Sequence, residues 1–157
     1  MRYVLLMFVL FSLCSTATAD IPAPWGKGEV MDIDYKPQKV VYDVATKNVG
    51  HLTSVLDRAS YLSTIYHADP FDASIVIVLH GDEINFFARK NYAKYKELMQ
   101  RAESLTVGGI ISIRMCRIAA KGHGYEPQDI HGFVKLVPMA DAELVRLQTE
   151  EGYAYMR

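Results

Sequence analysis

The chain has 157 residues, enough for one domain of ordinary size and too few for two. Half of it is apolar, and 17 basic side chains against 18 acidic ones leave a formal net charge of −1. That near-balance excludes a nucleic-acid binder held mainly by phosphate neutralisation. The apolar half excludes an acidic disordered chain, and two cysteines exclude a disulfide-dense scaffold.

Met1 and Arg2 precede an apolar run over residues 3–14 that is too short to span a bilayer as a stable anchor, and Ala17-Thr18-Ala19 follows. A basic start, a short apolar centre and an Ala-x-Ala exit make up a secretory signal peptide, because the peptidase accepts only small side chains at its site. Residues 1–19 are therefore expected to be removed before Asp20. The protein is expected to be periplasmic or secreted, with no stable membrane anchor after cleavage. Cys14 follows the large Leu13, whereas a lipoprotein site needs a small residue there, so Cys14 is expected to leave with the signal. The remainder has 138 residues, a formal charge of −2 and one cysteine, Cys116. In an oxidising compartment a lone thiol is a liability unless it is buried, paired between chains or used.

Residues 20–38 carry Pro22, Pro24 and Pro37 with Gly26 and Gly28, and read as an extended arm. From Lys39 onward strands and helices alternate. Residues 40–44 are β-branched and aromatic and predict a first strand; Asn48 can cap a helix in which Leu52, Val55, Leu56, Ala59 and Leu62 recur at helical spacing. Residues 74–80 form a nearly continuous apolar run, as in a strand covered on both faces, and Gly81 ends it. A short segment at 83–88 and a helix at 92–105 come next. A strand at 110–116, a glycine-rich segment, a strand at 133–137, a helix at 141–151 and a tail complete the chain. This alternation predicts an α/β fold over 39–157: three layers, a mainly parallel sheet of about five strands, and helices on both faces. Functional groups in such sheets gather at the carboxyl ends of the strands, where His80 and Cys116 fall.

The common occupants of this architecture are missing. The turn after the first strand, Ala45-Thr46-Lys47-Asn48, is not a dinucleotide fingerprint; Gly122-x-Gly124 has Pro127 where a third glycine is needed. There is no P-loop and no Gly-x-Ser-x-Gly elbow. Asp43 precedes Val44 within the strand and offers no response-regulator pocket. His51, His67, His80, His123 and His131 form no close ligand pair, so neither a metal nor a cofactor is expected.

Cys116 ends an apolar strand and opens Cys116-Arg117-Ile118-Ala119-Ala120. A strand-to-helix turn would aim helix N–H groups at the sulfur and favour a thiolate. Arg114 lies two residues back on the same strand face, and Arg117 is next in sequence. The competing reading makes Cys116 a small buried hydrophobe.

Several stretches resemble the DsrE/DsrF-like family: the strand into Met115-Cys116, Ala119-Ala120, Gly122-x-Gly124-Tyr125, Pro127-x-Asp129-Ile130 and Val137-Pro138. The C-terminal run from Ala142 to Gln148, with Glu151-Gly152-Tyr153-Ala154-Tyr155, carries the resemblance furthest, and His80-Gly81 fits as well. The resemblance implies a small parallel α/β domain forming homo-oligomers, trimers or hexamers. It also implies a cysteine at the position of Cys116 that carries sulfur as a covalent persulfide between a donor and an acceptor protein. Export and the basic Arg117 and Lys121 depart from the pattern of the cytoplasmic carriers. The expectation is thus an exported sulfur carrier or sulfurtransferase, with Cys116 as the reactive group and Arg117, Arg114, His80 and His123 as supporting candidates. The alternative is a non-catalytic oligomeric module of the same fold that binds a small ligand or a protein. A thiol-redox role would need a resolving cysteine from a partner.

Overall fold

The computed structural model describes residues 23–157, so the expected signal peptide at 1–19 lies outside the described residues. Residues 25–38 form neither helix nor strand. The chain divides between Ile33 and Asp34, and the second unit holds every helix and strand described.

Among the described residues five strands form one sheet: β1 (Lys39–Val44), β2 (Ser74–Leu79), β3 (Ile111–Cys116), β4 (Val134–Val137) and β5 (Ala154–Met156). All pairings are parallel, in the order β4-β3-β2-β1-β5. The central β2 is buried at every position after Ser74, which is why its sequence shows no alternation. The α-helices described, α1 (Val49–Ile65), α2 (Lys96–Thr106), α3 (Arg117–Gly122) and α4 (Ala140–Thr149), connect the strands. Asn48 starts α1 by accepting the Gly50 N–H at 2.8 Å and the His51 N–H at 3.4 Å. No described helix is long and apolar enough to cross a membrane.

Period-two alternation sorts the strands into two unlike faces. Tyr42, Val44, Ile75, Ile77, Leu79, Ile111, Ile113 and Met115 look toward α1 and α2 and pack there with Leu52, Leu56, Met99 and Phe87. The opposite face carries Val41, Val76, Val78 and Cys116, covered by Ala140, Leu144 and Leu147 of α4 and by Tyr153. It also carries polar groups, because Asp43, His80, Ser112 and Arg114 share its phase.

Two elements differ from the sequence expectation. The helix expected from Tyr92 begins at Lys96; residues 89–91 form a separate 3-10 turn, where the Asn91 amide donates to the Asn85 carbonyl at 2.8 Å and Phe86 packs on Tyr95. The tail is a strand. Gly152, at φ +73°, turns the chain after α4, Tyr153 is buried with its hydroxyl on Ser74, and the next residues pair with β1.

Candidate functional site

A sheet of this kind opens a crevice where connections leave neighbouring strands toward opposite faces. Here that point lies between β3 and β4. The chain leaves β3 through α3, whose Ala120 packs in the α1/α2 core, whereas it leaves β4 through α4 on the other face. A cavity of about 190 Å³ sits at this point, lined by His80, Cys116, Ile118, Ala119, Met139, Ala140 and Asp141. Its walls come from the carboxyl ends of β2, β3 and β4.

Cys116 is the last residue of β3 and the cap of α3. Its sulfur accepts the Ala119 N–H at 3.5 Å, and the residue is 5% exposed. Leu79 of β2 pairs with Met115 of β3, so His80 and Cys116 stand one step beyond that pair on adjacent strands. His80 Nε2 lies 2.6 Å from Asp43 Oδ1, and the Tyr155 hydroxyl donates to Asp43 Oδ2 at 2.6 Å. A carboxylate has only acceptor oxygens, so His80 donates through Nε2 and its Nδ1 is the ring atom free of Asp43. The hydrogen bond from Tyr155 to Asp43 is the first cause that raises the phenol pKa above its ordinary value; burial adds to it. Ile118 and Met139 expose 64% and 42% of their surface and give the cavity an apolar rim beside the exposed Asp141.

The other sequence candidates are dispersed. Arg114 shares the face of Cys116 but is paired to Glu143, which also binds Arg146; Arg146 in turn pairs with Glu151. The hydrogen bonds from Arg146 hold the Glu143 carboxyl below the usual range, burial opposes them, and Arg114 adds to the lowering. This chain of charges ties α4, and with it one wall of the cavity, to β3. Arg117 is exposed, does not line the cavity, and among the described residues makes no ion pair or hydrogen bond through its side chain. His123 lines a separate cleft of about 490 Å³ with Ala45, Thr46, Lys47, Gly81 and Asp82, and its Nε2 is 3.8 Å from Asp82.

The loops bearing His80 are held from below. Glu83 is fully buried, and its carboxylate accepts the Gly81 N–H at 2.8 Å and the Thr46 N–H at 2.7 Å, joining the turns after β1 and β2. A Cβ at Gly81 would stand 2.8 Å from the Ala45 backbone and 2.8 Å from Glu83, so only glycine fits. Among the described residues no group of three or more His, Cys, Asp or Glu side chains is placed to hold a metal ion.

A family model for DsrE/DsrF-like proteins matches residues 40–157, the whole of the sheet and its helices. The chain belongs to the DsrE/DsrF-like family. A solved structure of a protein of unknown function from Methanobacterium thermoautotrophicum has the same fold. Its TM-score is 0.60 at 19% identity, over 76% of this chain and 98% of that one. No curated protein matches the chain. Membership of the DsrE/DsrF-like family suggests a role of the sulfur-relay type. The sequence pointed to His80 and Cys116 but not to Asp43 or Tyr155. Asp43 was legible only as one more strand residue, until the β1/β2 register set it beside His80.

Proposed function

We propose that this protein is an exported sulfur handler in which Cys116 carries sulfane sulfur as a persulfide. One observation carries the reading: the only cysteine of the described chain lines the switch-point cavity together with His80, and its sulfur accepts a backbone N–H. A donor persulfide entering that cavity meets the Cys116 sulfur. A bond forms from Cys116 to the terminal sulfane sulfur, and the bond from that sulfur to the donor thiol breaks, its electron pair leaving with the thiol. His80 takes the Cys116 proton and returns it to the departing thiolate. The balance is one persulfide and one thiol on each side, so no outside oxidant or reductant is needed. Transfer to an acceptor is the same exchange in reverse.

The apolar rim at Ile118 and Met139 suits a protein donor or acceptor that must exclude water while sulfur moves. The family resemblance favours a trimer or hexamer. Export rests on the basic, apolar and Ala-x-Ala pattern of residues 1–19 and places the protein in the periplasm or outside the cell. The alternative is a non-catalytic binding module, supported by the deep burial of Cys116, which suits an inert thiol.

Intact-mass measurement on protein from the exported fraction, treated with a small-molecule persulfide or polysulfide, tests export and carriage. A start at Asp20 is the expected result for export, and a gain of about 32 Da that Cys116→Ser abolishes is the expected result for carriage. An unmodified mass in the cysteine-containing protein defeats the carrier and leaves the binding module.

A further inference from the structure

Four adjacent strands each place one group in a line along the carboxyl edge of the polar face: Cys116 from β3, His80 after β2, Asp43 from β1 and Tyr155 from β5. Three of the four are joined by two hydrogen bonds of 2.6 Å, one to each oxygen of Asp43. The fourth, Cys116, shares the cavity with His80. We propose that Asp43 and Tyr155 are positioning residues of the Cys116 site, acting through His80 to fix its Nε2–H tautomer and to present Nδ1 as the proton acceptor. The inference rests on the reading of Cys116 as the reactive group.

The physical case is one of satisfied valences. A neutral imidazole has one N–H and one lone pair, and its neighbours decide which nitrogen carries which. With Nε2–H held by Asp43, the basic lone pair is at Nδ1. An unanchored carboxylate could rotate and release the ring, but Tyr155 occupies its second oxygen. The phenol is an effective anchor because the carboxylate itself raises the pKa of Tyr155, which keeps its proton. Tyr155 reaches Asp43 because it pairs beside Val41, two residues before Asp43 on the same face. The short strand β5 therefore does more than close the sheet edge: it brings the far end of the chain to the site. A further charged group, Asp141, lines the same cavity from the start of α4 and makes no hydrogen bond to the ring among the described residues.

The test combines two measurements on the purified protein as its producing cell delivers it, with ring nitrogens of histidine labelled with ¹⁵N. Nitrogen shifts of His80 report the tautomer, and the rates of Cys116 alkylation by iodoacetamide and of persulfide loading report its consequence. In the unsubstituted protein His80 should be the Nε2–H form. Asp43→Asn should convert the ring toward the Nδ1–H form, and both rates should fall by about a hundred-fold or more, the contribution typical of a positioned general base. Tyr155→Phe keeps the ring and its bulk, and should slow both by about two- to ten-fold, as the net worth of one hydrogen bond predicts. It also serves as the milder probe should Asp43→Asn disturb folding.

A ring in the Nδ1–H form in the unsubstituted protein overturns the proposal. So does a tautomer that changes in Asp43→Asn with no change in alkylation. If alkylation follows the tautomer as expected but no sulfur loads on any form, the positioning role stands and the sulfur-carrier reading fails.

Discussion

The two faces of the sheet are built from the same strands yet do different work. Toward α1 and α2 every inward position is apolar and the layer is closed, with Leu56, Ile77, Met115 and Phe87 fully shielded. Toward α4 a smaller apolar patch is interrupted by Asp43, His80, Arg114 and Glu143, all of them in hydrogen bonds or ion pairs. The contrast separates a closed layer from an open one. A face sealed by two helices supplies burial energy and a rigid sheet, and the face that one ten-residue helix only partly covers keeps room for polar groups and a cavity.

Substitutions can break this division. The largest expected effect is on the closed face: Leu56→Ala should lower stability by about 2–5 kcal/mol through lost burial and the cavity left behind. Urea denaturation would measure it, and Cys116 alkylation below the unfolding transition should be unchanged. A loss of alkylation there would show that the faces are coupled.

A smaller effect is expected at Glu143. Its carboxyl lies below its ordinary value of 4.5 in the folded protein, so its contribution is present in full above that value and is lost as pH falls through the lower folded one. Glu143→Gln should cost about 1.5–3 kcal/mol at neutral pH, the range for hydrogen bonds to charged groups. The denaturation midpoints of the two proteins should converge as the pH drops below 4.5. A constant gap down to strong acid would mean that the ion pairs to Arg114 and Arg146 do not stabilise the fold.

The smallest effect belongs to His131, which stands between Tyr92 and Phe133 with Nε2 buried and unpaired. Burial chiefly, and Arg89 next, lower its pKa from the ordinary 6.5. The folded protein thus binds fewer protons here than the unfolded chain. Stability should begin to fall as pH drops below 6.5, and a His131→Phe protein should lack this limb of the pH profile. An identical profile in both proteins would place the acid sensitivity elsewhere, with Glu143 the first group to examine.

Much of the frame was legible in the residues themselves. The unbroken apolar run of β2, the Asn48 cap and the strand and helix periods follow from short-range rules, because neighbouring residues share one backbone geometry. Cys116 and His80 were found the same way, each at the end of an apolar strand. Asp43 was not, since nothing local separates a carboxylate serving a histidine from one facing water. Tyr155 was out of reach as well: the tail carried the family resemblance but no sign of the strand it pairs with, and the contact of Tyr155 with Asp43 depends on Gly152 turning the chain back to β1. Arg117 read as the better electrostatic partner of the sulfur and Arg114 as a salt-bridge residue; in the fold Arg114 pairs with Glu143, and Arg117 lies in solvent outside the cavity.

The sequence by itself determined the α/β alternation, the single thiol left after residue 19, and the balance of charge that argues against a phosphate-neutralising binder. Only the tertiary structure decided which polar residues meet. Strand order and register join positions 37 and 112 residues apart, Asp43 to His80 and to Tyr155, and no local pattern encodes a distance of that kind. Parallel pairing brings carboxyl ends together whatever their separation along the chain, and that is why the site lies where four strands finish side by side.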